Sequence, residues 1–379
     1  MKIVYLSTGL YTGGAERMLY NLLSKINRER FSPVVVSLMD GGTWGDRIEA
    51  LGIPVHTVGM ELGMPPTPSV MWRLIKLLRK IQPDIIQGWM YHGNIAAQIT
   101  CYFLSEKIPV IWNIQHSMYS LSYEKRMTRY VIRLGAMLSQ FATNIVFVSK
   151  TGKVQHEAIG YSSNNSCVIP NSSDTSQFLP STEARLAVRS ELGLSQNVLL
   201  IGQIARYHPM KDHANFLQAA ALLAKNHPIL HFLLVGREVE KENQDLYQII
   251  HALGIGERVH LLGERRDIPR IMAALDIVSS ASAYGEAFPL ILAEAMSCGV
   301  PCVVTDVGDS GWIVSNTGRV VPPRNSEALA NAWKELIALG SEGREALGKA
   351  ARERIIECFA LESVVAEYEK LYEEALIKN

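Results

Sequence analysis

Residues 198–236, VLLIGQIARYHPMKDHANFLQAAALLAKNHPILHFLLVG, contain two short apolar runs separated by a polar loop and a helix-like segment. The runs VLLIGQIA and HFLLVG have the length and the aliphatic content of buried β-strands. A strand, a helix and a second strand in this order form a βαβ unit. This stretch therefore predicts parallel strands with a helix packed on the sheet.

The same alternation extends over the chain in two series. Up to residue 165 the strand-like runs are KIVYLS, FSPVVVSL, PVHTVG, PDIIQGW, PVIWNIQ and NIVFVS. After residue 165 the further runs are SCVIPNS, VHLLG, DIVSSA and PCVVTD. We predict an α/β protein with two Rossmann-like doubly wound domains facing a central cleft.

The domain boundary is expected in a stretch rich in Ser, Asn and Pro, residues 160–182. We predict an N-terminal domain over residues 1–165 and a C-terminal domain over residues 166–360. A last helix over residues 361–379 packs at a place that the sequence leaves open, the N-terminal domain included.

The composition is that of a soluble globular protein, with 48% apolar residues in 379. No run approaches the ~18 apolar residues of a membrane span, and no signal-peptide cleavage site follows the N-terminus. The five cysteines are scattered, as expected of reduced thiols. We therefore expect a cytoplasmic protein.

The zero net charge hides an asymmetry between the two halves. Residues 1–165 contain 17 Lys and Arg against 10 Asp and Glu, whereas the remainder contains 20 against 27. Part of the basic excess lies on two amphipathic stretches, residues 69–80 and 123–138. Solvated helix faces explain this excess, and so does a shallow contact with an anionic membrane surface. No basic stripe with interleaved aromatics appears, so nucleic acid is not expected as a partner.

Ligands of such sheets collect beyond the carboxyl ends of the strands. Gly13 and Gly14 follow the first strand and precede a helix, a geometry that suits an anionic group, although such a pair is often only a turn. His92 and His116 follow two other strands and would face the same crevice. An isolated histidine at a strand end is as often structural as functional.

In the second series, Arg206 and Lys211 lie on one short loop before a helix. Two cations so close repel each other unless an anion lies between them. A diphosphate would suit both, because arginine offers a planar fork and lysine a point charge. Ordinary surface charge is the alternative.

The stretch GEAFPLILAE places two carboxylates around a helix start, since proline favours the first helical position. We expect the helix to begin near Phe288 or Pro289, with Glu286 in the preceding loop and Glu294 in the second turn. Helical side chains lean toward the N-terminus, so Glu294 would reach back toward Glu286. Each carboxylate can accept hydrogen bonds from neighbouring hydroxyls of ribose or a sugar, and the helix N-terminus suits phosphate.

The segment EAFPLILAE resembles the E-x7-E motif of retaining GT-B glycosyltransferases, and the longer segment GEAFPLILAEAMSCGVPCVVTDVG is similar to that of glycosyltransferase family four. The similarity continues through GGAER, His116, IPNSSDTSQF, ARYHPMK and LLGERRDIPRIMAALDIVSSAS, in order along most of the chain.

This resemblance implies a nucleotide-sugar-binding C-terminal domain and an acceptor-binding N-terminal domain. It assigns the donor diphosphate to Arg206 and Lys211, with Gly13 and Gly14 approaching from the other domain. Glu294 would bind ribose, while Glu286 and His116 would lie at the reacting sugar. The remaining implied contacts comprise donor backbone contacts at Phe288, Pro289 and Leu290, base-flanking residues Gly236, Arg237, Glu264 and Arg265, and acceptor-side residues His92 and Asn94.

The chain departs from the family pattern in three loops. Lys211-Asp212 stands where Lys-Gly is frequent, Asn171-Ser172 where Asn-Gly is, and VGDSGW where Gly-Gly-x-x-Glu is. The first two departures put the local turn geometry in doubt, and the third puts in doubt how that loop meets the donor. No charged site residue is lost.

The family implies transfer with retention of configuration, and no D-x-D motif occurs, so we expect no metal and no other cofactor. We expect a hexose or N-acetylhexosamine donor, with a UDP-sugar favoured over a GDP-sugar, and a saccharide or lipid-linked saccharide acceptor at the inner face of the cytoplasmic membrane. A surface polysaccharide or glycoconjugate would be the product. A nucleotide-sugar epimerase and a non-catalytic nucleotide-sugar binding protein remain alternatives.

Overall fold

Thirteen strands and fifteen α-helices alternate in the computed structural model, which describes residues 1–11, 13–61, 66–104, 107–118, 121 and 124–377. Tyr123, the first residue of the second amphipathic stretch, lies outside the described residues. All strand pairs are parallel, as the βαβ pattern predicts. The chain folds as two compact units, each with its own sheet.

The first unit comprises Met1–Asn171 and Leu361–Asn379. Its seven strands follow the order β3-β2-β1-β4-β5-β6-β7. They are β1 (Lys2–Ser7), β2 (Ser32–Ser37), β3 (Val55–Thr57), β4 (Ile85–Trp89), β5 (Val110–Ile114), β6 (Asn144–Phe147) and β7 (Ser166–Val168). The helices are α1 (Gly14–Lys25), α2 (Gly42–Ala50), α3 (Pro68–Ile81), α4 (Met90–Cys101), α5 (Arg126–Leu138), α6 (Lys150–Ala158) and the C-terminal helix, Leu361–Ile377.

The second unit is Ser172–Ala360, with six strands in the order β10-β9-β8-β11-β12-β13. They are β8 (Leu199–Ile204), β9 (Leu230–Val235), β10 (Val259–Leu261), β11 (Ile277–Ser280), β12 (Cys302–Thr305) and β13 (Gly318–Val321). The helices are α7 (Thr182–Glu191), α8 (His213–Ala224), α9 (Gln244–Leu253), α10 (Ile268–Ala274), α11 (Leu290–Ser297), α12 (Ser310–Val314), α13 (Ser326–Ala338) and α14 (Gly340–Cys358). The C-terminal helix is therefore α15. Both sheets have the Rossmann-like order, which confirms the predicted fold class.

The structure places the run SCVIPNS differently from the prediction. It forms β7, which pairs with β6 at the edge of the first sheet, and the first unit continues to Asn171 rather than ending at residue 165. A short strand between two series fits either sheet by pattern alone, because periodicity does not identify its partner.

Helix α15 packs on the first sheet. Tyr368 and Tyr372 are fully buried in the same core as α1. Asn113 Nδ2 donates to Tyr368 Oη over 2.7 Å, and Tyr372 Oη donates to Gln87 Oε1 over 2.5 Å. The two phenols thus satisfy polar groups that the apolar core would otherwise leave unpaired.

Candidate functional site

The loop after β8 carries Arg206 and Lys211. Arg206 is exposed, and no ion pair reaches it from the part of the chain that the structure describes. Lys211 is half-buried, and its carbonyl accepts a 3.0 Å hydrogen bond from Gln203 Nε2. Burial, and then the charges of Arg206 and Lys211, lower the pKa of His208 between them. The loop therefore concentrates positive charge beyond the carboxyl end of a central strand.

Asp212 shows how this chain accommodates the first departure from the family pattern. Its φ of +46° lies in the left-handed region that favours glycine, which aspartate tolerates better than most residues. Its side chain accepts a 3.2 Å hydrogen bond from Asn215 N and caps α8. The aspartate therefore keeps the turn that glycine would make and adds a helix cap.

Glu286 follows β11 and is the partner of Lys211. Its side chain is buried, and Oε1 accepts hydrogen bonds from Ser282 Oγ, at 2.6 Å, and from Lys211 Nζ. Among the described residues no hydrogen bond reaches Oε2. A cation and a hydroxyl thus stabilise this buried carboxylate through one of its oxygens.

Close backbone contacts hold this loop in place. Gly285 has a φ of +78°, and a Cβ there would lie 2.7 Å from Met210 Sδ. Ala283 N donates to Met210 O over 2.8 Å, which ties the loop after β11 to the loop after β8. Gly308, in the VGDSGW segment, lies against the backbone of Glu286, where a Cβ would come within 2.0 Å of the carbonyl oxygen. The loops of three strands thus converge on Glu286.

Helix α11 begins at Leu290, with Pro289 as its N-cap residue, close to the predicted start. The first N–H groups of a helix have no partner within it, so they are available to an anion. Glu294 lies in the second turn, as predicted, and is 4% exposed. Burial and then the charge of Glu294 raise the pKa of Cys298 to about 12. The Phe288 ring is buried in T-shaped contacts with the rings of Trp312 and Phe359.

The residues predicted to flank a base occupy two neighbouring loops. Gly236 follows β9 and packs on the loop after β8, since a Cβ there would lie 2.2 Å from Ala205 O. Arg237 is exposed and its carbonyl accepts from Tyr207 N over 2.9 Å. Glu264 is exposed.

Arg265 lies in an ion-pair cluster with two carboxylates. Its Nη1 lies 2.6 Å from Glu191 Oε1, and its Nε lies 2.8 Å from Asp267 Oδ1. Two carboxylates thus hold the guanidinium in place and stabilise the loop after β10.

In the first unit, α1 begins at Gly14 with Gly13 as its N-cap residue. A Cβ at Gly13 would lie 2.3 Å from Glu16 Oε2, so this glycine leaves room for the carboxylate. Glu16 occupies the first turn, where the helix dipole favours a negative charge. Burial nevertheless raises the pKa of Glu16.

His92 and His116 line one pocket, as the strand order implied. The pocket has a volume of about 310 Å³, and its other lining residues include Glu16, Glu124 and Thr128. His116 Nε2 lies 2.9 Å from Glu124 Oε1, and this hydrogen bond lowers the pKa of Glu124. Burial lowers the pKa of His92. The pocket offers two imidazoles and two carboxylates to a polar ligand.

Asn94 supports the sheet and does not line this pocket. Its side chain is 1% exposed, and both ends of the amide bond to the Asn113 backbone at 3.1 Å. These bonds and the burial hold the amide inside the first unit, away from solvent. Asn94 follows His92 by two positions on α4, so the two side chains point to different sides of the helix.

A buried network lies beneath His116. The Tyr91 and His116 rings make a T-shaped contact, with centroids 6.1 Å apart, and Tyr91 Oη lies 2.7 Å from His156 Nε2. His156 Nδ1 lies 2.6 Å from the Gly152 carbonyl, which can only accept, so Nδ1 carries the proton and Nε2 accepts from Tyr91. Burial lowers the pKa of His156 to about 4.

Sequence reasoning missed several residues that the structure brings to these sites. Glu124 is eight positions from His116 and no local pattern links them. Ser282 and Gln203 are inconspicuous polar residues at strand ends, although their position at that edge of a parallel sheet is a usable signal. Glu16 could have been found, because an acidic residue three positions after an N-cap is typical of helix starts.

Two protein-family models match most of the chain between them. Residues 12–177 match Glycosyltransferase Family 4, and residues 185–354 match Glycosyl transferases group 1. No helix in the described ranges combines the length and apolar content that crossing a membrane requires.

Individual relatives extend this similarity. The UDP-Gal:alpha-D-GlcNAc-diphosphoundecaprenol alpha-1,3-galactosyltransferase of Escherichia coli is 23% identical over 88% of this chain and 86% of its own length. The N-acetyl-alpha-D-glucosaminyl L-malate synthase of Bacillus anthracis is 29% identical over 50% of this chain and 49% of its own length. The solved structure of Anabaena HepE in complex with UDP is 23% identical, with a TM-score of 0.87 over 99% of this chain and 100% of that chain.

Proposed function

The chain belongs to the family 4 and group 1 glycosyltransferases with the GT-B fold, and from this we propose a retaining transferase that uses a nucleoside-diphosphate sugar. It moves a hexose or N-acetylhexosamine to a hydroxyl of a saccharide or a lipid-linked saccharide, without a metal ion. The reaction serves surface polysaccharide or glycoconjugate assembly.

The observation that carries this proposal is the cluster around Glu286. Lys211 Nζ has three donors, and only one is needed for Glu286, so the others can meet a phosphate. Oε2 of Glu286 is left for hydroxyls of the transferred sugar. One residue pair thus offers a cation for the leaving diphosphate and an acceptor for the sugar beside it.

Arg206 and the first N–H groups of α11 complete the proposed donor site. Arg206 supplies a second cation for the diphosphate, and Glu294 in the second turn accepts from the ribose hydroxyls. Negative charge develops on the nucleoside diphosphate as it leaves. Cations that the protein already holds in position stabilise this charge without having to move during the reaction. Losing one such donor typically slows transfer by about 10²–10³-fold.

The acceptor belongs to the first unit in this proposal. The pocket of His92 and His116 is large enough for a sugar ring and offers both hydrogen-bond donors and acceptors. We assign His116 to the reacting sugar, oriented by its hydrogen bond with Glu124. We assign Gly13 and Gly14, which start α1, to a close backbone approach to the donor diphosphate, with the Glu16 carboxylate beside Gly13.

The relatives support a UDP-sugar as donor. The Escherichia coli relative is described as using UDP-Gal and a diphosphoundecaprenol-linked acceptor, and solved HepE structures contain UDP or UDP-glucose. We therefore favour UDP-glucose, UDP-galactose and their N-acetylated forms over GDP-sugars.

A panel of UDP- and GDP-sugars tests the proposal. The true donor at a hundredfold excess over its Kd stabilises the protein against unfolding by about 2.7 kcal/mol. With an acceptor panel, NMR of the product should show the anomeric configuration of the donor retained. Glu286→Gln abolishes transfer, and Glu327→Gln, on the exposed face of α13, serves as the matched control.

Two outcomes would overturn the proposal. Isomerised donor sugar appearing without any acceptor would indicate an epimerase. Donor binding that never leads to transfer with any acceptor, in the wild-type chain, would indicate a binding protein.

A further inference from the structure

The cavity of about 310 Å³ around His92 and His116, which we call the first-unit pocket, is lined by acidic side chains. Glu16 and Glu124 line it from two different segments, the first turn of α1 and the loop before α5. None of the described residues that line it is a lysine or an arginine. A ligand in this pocket therefore meets two carboxylates and no permanent cation.

The two imidazoles do not offset both carboxylates. His116 Nε2 lies 2.9 Å from Glu124 Oε1, so a proton on His116 balances the charge of that carboxylate alone. Burial lowers the pKa of His92, which favours its neutral form. Glu16 has no ion-pair partner within the described ranges, and burial raises its pKa. An anion beside Glu16 would have to overcome its charge or force it to take up a proton.

The arginines at the start of α5 lie outside the pocket. Thr128 lines it, whereas Arg126 and Arg129 on the same helix do not. Residues one or two positions apart on a helix point to different sides, so these arginines do not share the side of Thr128. The second unit differs, because its loop after β8 contains Arg206 and Lys211 close together. The chain thus provides two cations at the proposed diphosphate site and two carboxylates in the first-unit pocket.

We propose that the first-unit pocket binds a sugar without negative charge and rejects sugars that carry a phosphate or a carboxylate on the ring that enters it. This inference rests on the proposed transferase function and narrows the class of its sugar acceptor. Carboxylates and imidazoles form hydrogen bonds with uncharged hydroxyls. A phosphate about 5 Å from a carboxylate in such a half-buried site binds on the order of 100-fold more weakly than the corresponding hydroxyl. Any phosphate of a lipid-linked acceptor then lies outside the pocket.

Thiol labelling measures the sign of the electrostatic potential in the pocket and needs no sugar acceptor. Thr8→Cys introduces a thiol there, and the described residues give the Thr8 hydroxyl no hydrogen-bond partner that the change would remove. One methanethiosulfonate reagent carries a trimethylammonium group and the other a sulfonate. Mass spectrometry of the peptide that contains residue 8 separates its labelling from that of the native cysteines. Thr128→Cys repeats the measurement from α5.

The ratio of the two labelling rates, cationic over anionic reagent, cancels differences in thiol accessibility. We expect this ratio to be about tenfold higher for Thr8→Cys than for the control Thr182→Cys, which is exposed on the second unit. Adding Glu16→Gln should lower the ratio by about threefold, whereas adding Glu49→Gln, exposed on α2 of the same unit, should leave it unchanged. Equal ratios for Thr8→Cys, Thr128→Cys and the control would overturn the proposal.

Matched sugar acceptors test the specificity itself. The pairs are methyl glucoside with methyl glucuronide, and N-acetylglucosamine with its 6-phosphate. We expect kcat/KM of the wild type to be on the order of 100-fold higher for the uncharged member of each pair. Glu16→Gln with Glu124→Gln should reduce this preference to about tenfold or less, while Glu49→Gln leaves it unchanged. Transfer to the charged members as fast as to the uncharged ones would overturn the proposal.

Failure of this inference and failure of the proposed function give different results. A chain that transfers to charged and uncharged sugars alike is a transferase without the charge preference. A chain that binds UDP but transfers to no acceptor of any kind refutes the proposed function, and the labelling ratio still decides the charge of the pocket.

Discussion

Removing the ammonium of Lys211 while keeping its bulk tests the pairing on which the donor site is built. Lys211→Met retains most of the aliphatic stem but leaves Oε1 of Glu286 with Ser282 as its remaining described partner. Glu286→Gln makes the complementary change, because an amide of the same shape can still accept from Ser282. The double variant removes the charge pair altogether.

The exposure of the two side chains determines how far each substitution lowers the free energy of unfolding. Breaking a fully buried ion pair costs about 3–5 kcal/mol, but the Lys211 side chain is 20% exposed against 9% for Glu286. Water therefore reaches the lysine more easily than the carboxylate. We expect Lys211→Met to lower the free energy of unfolding by about 2 kcal/mol and Glu286→Gln by about 1 kcal/mol. The double variant should lose only about 1 kcal/mol, which leaves a coupling energy of about 2 kcal/mol.

The wild type, the two single variants and the double variant form a double-mutant cycle. Urea unfolding, monitored by tryptophan fluorescence, measures the stability of all four proteins. Lys225→Met is the control, because Lys225 is exposed and should change stability by less than about 0.5 kcal/mol. If Lys211→Met behaved like that control, or if the two single changes simply added, Lys211 and Glu286 would not be coupled and the reasoning would be wrong.

Three further predictions concern the frame around the sites. Asp212→Ala removes the cap of α8 but keeps the left-handed backbone, so it should lower the free energy of unfolding by about 1–2 kcal/mol, measured by urea denaturation. Asp212→Gly should lower it by less than about 1 kcal/mol. Burial depresses the pKa of His156 to about 4, so the unfolded chain, titrating near 6.5, binds the proton first as pH falls. The free energy of unfolding should be constant above about pH 6.5 and should fall by up to about 1.4 kcal/mol per pH unit toward pH 4. His156→Leu should reduce this pH dependence, as measured by urea denaturation at a series of pH values. Tyr372→Phe removes the donor to Gln87 and should cost about 1–3 kcal/mol, and an unchanged urea midpoint would contradict the assigned role of this hydrogen bond.

The strands and their parallel order could be predicted because buried strands of such sheets are apolar along their whole length. Twelve strand-like runs in the sequence correspond to β1 to β12. The strand β13, GRVV, was not predicted, because it is short, lies at the sheet edge and carries an arginine. The sheet to which β7 belongs depends on long-range pairing, which local sequence does not encode.

The site could be predicted where a single local rule applies. A proline marked the start of α11, and the spacing to Glu294 placed that residue in the second turn. Contacts between distant segments could not be predicted in this way, among them His116 with Glu124 and Arg265 with Glu191. The inward turn of Asn94 depends on the exact residue at which α4 begins, which pattern alone does not determine.

The central claim is that the cations of the loop after β8 bind the donor diphosphate. Titrating UDP and uridine into the wild type and Arg206→Ala tests it most directly. Arg206 is exposed and outside any ion pair of the described residues, so its loss should leave stability unchanged. We predict that UDP binds the variant about 10- to 100-fold more weakly, while uridine, which lacks the diphosphate, binds equally to both. Equal UDP affinity in the two proteins, or an equal loss for UDP and uridine, would contradict the account.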